Sequence, residues 1–90
     1  MERIKLETLE AVVTRINRIT GNPAEPWRTE GGRNVANIGN YHLSGAYGGY
    51  ALHQMHNENG GVEDVFRCGH VAKRDLLARM RAFIDGLEAK

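Results

Sequence analysis

Between Arg3 and Ile19 the apolar residues Leu6, Leu9, Val13 and Ile16 recur at helical spacing. Val12 and Ile19 widen the stripe, and Glu7, Glu10, Arg15 and Arg18 fall between. The spacing predicts an amphipathic helix that stops at Thr20-Gly21-Asn22-Pro23, because glycine accepts the left-handed conformation after a helix and proline cannot extend one. A second stripe, Leu76, Leu77, Met80, Phe83, Ile84 and Leu87, predicts a helix from about Val71 to Glu88, with Arg74, Arg79, Arg81 and Asp85 largely on its other side.

The stretch between the helices has a different period. Ala24 to Gly32 contains Pro26, Trp27 and Gly31-Gly32 and no periodicity, and reads as a loop. Trp27 either lids one edge of the core or stands exposed as a binding anchor. Three strands are predicted after it: Arg33 to Leu43 with a bulge at Gly39, Tyr50 to His56, and Val62 to Cys68. Asn57-Glu58-Asn59-Gly60-Gly61 suits a turn between the last two. The order α-β-β-β-α implies an α+β fold, a three-stranded antiparallel meander with both helices on one face.

Such a sheet leaves its other face open to solvent, to a partner or to a second copy in a homodimer. That face carries either an apolar patch drawn from Tyr41, Tyr50, Leu52, His53, Met55 and Phe66, or the polar set His53, Glu63 and Arg67.

Composition narrows the class. Ninety residues, 41% hydrophobic and 26% charged, suit one domain and argue against disorder or a coiled coil. A formal charge of +1 is far from that of a strongly basic nucleic-acid binder, though a local basic patch is compatible with it. One cysteine, Cys68, excludes an internal disulfide framework and favours a reducing cytoplasm. Met1 to Glu10 lacks the apolar run of a secretion leader, and no segment has the length of a membrane span. The eleven glycines are in excess and gather between the helices, where a meander turns.

The candidate chemistry is sparse. The run from Gly39 to Tyr50 fits neither the Walker nor the dinucleotide glycine pattern, so its glycines read as a bulge and a hairpin loop over Ser44 to Gly49. Tyr41, His42, Tyr47 and Tyr50 are the candidate partner-binding residues, with Tyr47 at the loop tip and Tyr41 and Tyr50 also suited to cross-strand packing. His53 and His56, three apart on a strand, project to opposite faces, and with Cys68 and His70 they match no zinc pattern. Cys68 reads as a small core residue closing the third strand. No nucleophile, base and orienting group are brought together by spacing, so no catalytic residue, metal or cofactor is expected. Lys73 and Arg74 fall in the first turn of the second helix, where free backbone N–H groups and cations favour an anion, and Asp75 offsets them in part.

The α-β-β-β-α layout resembles that of the double-stranded RNA-binding domain as a topological analogy. Lys73 and Arg74 stand where that domain's helix lysines meet phosphates, and His42 or the Ser44 to Gly49 loop where its hairpin enters the minor groove. A nucleic-acid-binding module using Arg33, His42, Lys73 and Arg74 is one expectation. A second resemblance rests on Gly39 to Tyr50, Leu52-His53, Asn57-Glu58, Gly60-Gly61-Val62, Asp64-Val65-Phe66, Cys68-Gly69-His70-Val71, and Lys73-Arg74 through Ala82-Phe83-Ile84, with Gly21 to Pro26 beside them. These segments resemble small proteins encoded by tailed bacteriophages and prophages. That implies a phage origin and a bacterial cytoplasm, and carries over no activity and no functional residue. The leading expectation is therefore a non-enzymatic accessory protein that binds a host or phage protein, a host-defence factor being one class of target.

Overall fold

The computed structural model describes residues 3–89; Met1 and Glu2, at the start of the stretch read for a leader, lie outside them. Seven elements follow in order: α1 (Leu6–Thr20), β1 (Trp27–Glu30), β2 (Arg33–Ala36), β3 (Tyr41–Ala46), β4 (Gly49–Met55), β5 (Val62–Asp64) and α2 (Lys73–Glu88). β3, β4 and β5 form the antiparallel meander, and β1 and β2 form a separate two-stranded sheet.

Both helices form where their stripes predict. α1 buries Leu9, Val13, Ile16 and Asn17, and Gly21 closes it at φ 72°. The Gly21 N–H donates to the Arg18 carbonyl and the Asn22 N–H to that of Asn17, the paired bonds of a Schellman cap. α2 buries Leu76, Leu77, Met80 and Ile84. With Tyr41 and Leu52 from the sheet the apolar ones among these side chains make one core. Each fully buried leucine there contributes roughly 1.5–3 kcal/mol. α2 begins at Lys73 rather than Val71, because Val71 exchanges two backbone hydrogen bonds with Tyr50, at 2.8 and 2.9 Å, and so extends the sheet.

The middle of the chain departs from expectation in four places. The strand expected over Arg33 to Leu43 is two strands, β2 and β3, in different sheets. Gly39 between them is no bulge. It turns the chain at φ 95°, where an added Cβ would run into the Asn22 side chain. β1 lies inside the expected loop and pairs with β2 across Gly31-Gly32, whose φ values of 59° and 78° suit a type I′ turn. All four β1 residues are exposed, so this strand has no buried face to print an alternation on the sequence. Trp27 is 45% exposed and lies against Gly60, where a Cβ would stand 2.6 Å from its ring. It fastens the small sheet to the Asn57–Gly61 turn rather than entering the main core.

The third correction concerns the hairpin. β3 runs on through Ala46, and Tyr47 and Gly48 alone make the turn, at φ 53° and 74°. The expected six-residue loop is a tight type I′ hairpin because Ala46 still pairs with Gly49. The fourth is the end of β5. The Asp64 carboxylate accepts the N–H groups of Arg67 at 3.2 Å and Gly69 at 2.9 Å, curling the chain away from the ladder. Cys68 therefore sits half-buried in a loop, not in the core.

Candidate functional site

Register decides what the uncovered face displays. His42 pairs with His53, Ser44 with Ala51, and His53 with Asp64. Paired residues share a face, and Tyr41, Leu43, Tyr50 and Leu52 point to the helices, so His42, Ser44, Ala51 and His53 point the other way. The curl after β5 and the Tyr50–Val71 bridge then deliver His70 onto the same face.

The result is a file of rings. His42 and His53 meet edge to face with centroids 6.0 Å apart, His53 and His70 likewise at 6.0 Å, and Tyr47 and His70 at 5.7 Å. Ser44 Oγ lies 3.0 Å from His70 Nε2. At the other end, the fully buried Asn40 donates from Nδ2 to the Pro23 carbonyl, which leaves its Oδ1 facing His42 Nδ1 at 3.2 Å. An amide oxygen only accepts, so the His42 proton belongs on Nδ1 and the lone pair on Nε2.

This packing favours neutral rings at His42 and His53. Burial, then the neighbouring His53, pushes the His42 pKa below the usual histidine value. His53 is also lowered, chiefly by burial, with Asp64 opposing the shift and His70 adding to it. A histidine whose folded pKa is depressed adds stability above its unfolded pKa of about 6.5, and that stability drains away as pH falls through that value toward the folded one. The melting temperature should therefore decline as pH drops from 7.5 to 5, and His53→Gln should flatten the decline. A wild-type slope retained in His53→Gln would show that the titration lies elsewhere.

The Ser44–His70 pair stops short of a hydrolytic triad. Among the described residues no carboxylate hydrogen-bonds the His70 ring, and Asp64, the acid on this face, is bound by the Arg67 and Gly69 amides. Nor, among them, does any group of three His, Cys, Asp or Glu side chains converge to hold a metal. What the face offers is hydrogen bonding, stacking and proton acceptance.

The residues singled out from sequence do not share one surface. Tyr41 is buried against Phe83, edge to face at 5.9 Å, and Tyr50 is half-buried on the helix side. His42 belongs to the ring file, while Tyr47 is 97% exposed at the hairpin tip. Lys73 and Arg74 gather around a shallow cleft with Arg3, Gly48 and Tyr50, the Lys73 ammonium standing 5.9 Å over the Tyr50 ring. Arg33 lines a separate hollow with Glu30 and Glu58. Sequence reasoning missed Ser44 and His70 as a pair, 26 residues apart, and missed Arg3 beside Lys73. No helix among the described residues is long and apolar enough to cross a membrane. Compared with protein-family models, curated proteins and solved structures, the chain matches none of them.

Proposed function

We propose that the protein is a non-enzymatic accessory protein of a tailed phage or prophage, acting in the bacterial cytoplasm by binding a host or phage protein, with a host-defence factor as one class of target. Tyr47 carries this reading. It holds a left-handed backbone conformation, φ 53°, that a bulky residue adopts at a cost of roughly 1–2 kcal/mol, and it presents a 97% exposed ring backed by His70. An exposed tyrosine is typical of the anchors that dominate binding energy. Asn or Gly would make this turn without strain, so a strained tyrosine with its ring in solvent supports a role outside the fold.

A second reading, nucleic-acid binding, is favoured by the cleft where Arg3, Lys73 and Arg74 surround Tyr50, three cations with an aromatic face at the start of α2. One capture experiment separates the two. Immobilised wild type should retain a protein from bacterial lysate that Tyr47→Ala loses, and binding of that purified protein should weaken about 30-fold or more, the loss of one anchor. Equal retention by Tyr47→Ala removes this surface. Capture of nucleic acid that falls steeply with salt and with Lys73→Glu, but not with Tyr47→Ala, installs the second reading instead.

A further inference from the structure

The geometry points to the free edge of β3, with the groove it forms against α1, as the acceptor for an extended, lysine- or arginine-bearing peptide segment of a partner protein, added to the sheet as a fourth strand. β3 is the outer strand of the meander. Tyr50 bonds outward to Val71 and the Leu52 carbonyl to Val65, so by register the N–H and C=O groups of Tyr41, Leu43 and Gly45 all point away from β4. The fold closes the first of these rungs itself. The Asn17 amide accepts the Tyr41 N–H at 2.8 Å and donates to its carbonyl at 2.9 Å, as an added strand would. Nothing in the described chain takes up the Leu43 and Gly45 groups beyond it. Two open rungs continue from one already occupied by a strand-like partner.

The groove beside these rungs, about 550 Å³, selects the occupant. Val13 and Leu43 offer it apolar contact, Leu6 and Tyr50 line the end near the hairpin, and Glu10 and Glu25 are exposed along it. No lysine or arginine lines it, and neither carboxylate pairs with a cation among the described residues. A strand added here would turn every second side chain toward this groove, where apolar ones meet Val13 and Leu43 and basic ones meet Glu10 and Glu25. A second copy of this chain would bring its own Glu10 and Glu25 to the same groove, like charge against like.

This surface is distinct from Tyr47, and its test is independent of that residue. A random peptide library panned on the folded protein should enrich sequences that carry both apolar and Lys or Arg residues at every second position, on one face of a strand. A synthetic peptide of the enriched sequence should slow hydrogen exchange at the Leu43 and Gly45 amides. Glu10→Lys with Glu25→Lys should weaken it about tenfold or more, the worth of two exposed charge pairs reversed. Gly45→Pro, which removes an outward N–H and no internal ladder bond, should do the same with the melting temperature checked. Tyr47→Ala should leave peptide binding unchanged. No enrichment, binding indifferent to both edge variants, or a concentration-dependent dimer protecting the same two amides would overturn the assignment.

Discussion

Replacing Asn17 by alanine is expected to lower the melting temperature by roughly 10 °C or more. Asn17 is 3% exposed and both ends of its amide are committed to the Tyr41 backbone. Alanine leaves a buried N–H and a buried C=O without partners, each costing about 1–3 kcal/mol, so the pair costs about 2–6 kcal/mol. In a domain of this size each kcal/mol moves the midpoint by roughly 4–8 °C. Asn17→Asp should not rescue it, since an ionised carboxylate accepts the N–H but cannot donate to the carbonyl and adds a buried charge. A thermal melt displaced by only a degree or two in Asn17→Ala would mean that water reaches the Tyr41 edge, and that α1 does not seal the first rung.

Gly49→Ala is the second large effect. Gly49 is buried, and an added Cβ would stand 2.8 Å from the Val71 oxygen and 3.0 Å from its nitrogen. Those are backbone atoms held by the two hydrogen bonds to Tyr50, so no side chain can swing away to make room. Overpacking of this kind costs about 1–3 kcal/mol. Because Val71 follows His70, the same displacement should pull the imidazole off Ser44 and out of the ring file. Two readouts are therefore expected to move together: the melting temperature, and the His70 ring resonances in a nuclear magnetic resonance spectrum. A destabilised variant with unchanged His70 signals would show that the bridge does not position the histidine.

The helices were legible because each buries a continuous stripe against a core, and burial is what periodicity records. Leu9, Val13 and Ile16 on one, and Leu76, Met80 and Ile84 on the other, sit where their spacing puts them. The meander and its place under two helices followed from the same logic. β1 was illegible because none of its residues is buried, and the division of β2 from β3 hinges on a turn at Gly39 that resembles a bulge when read along the chain. The tyrosines show the same limit. Tyr41 and Tyr47 are alike in a glycine-rich run, yet one is 8% exposed and the other 97%.

What the sequence by itself determined is the class of fold: two amphipathic helices, turn-forming glycines and strands enough for a small sheet. Only the tertiary structure decided the surfaces. Strand register, in which a slip of one residue exchanges the two faces, put His42, Ser44 and His53 on the open side, and a carboxylate-capped loop with one two-bond bridge carried His70 to them. Asn17 is the same case on the other edge, a polar residue in an apolar helix stripe whose purpose shows only once β3 lies beside it. Local pattern reports burial, whereas a site is made by contacts between residues distant in sequence, and those exist only after the chain has packed.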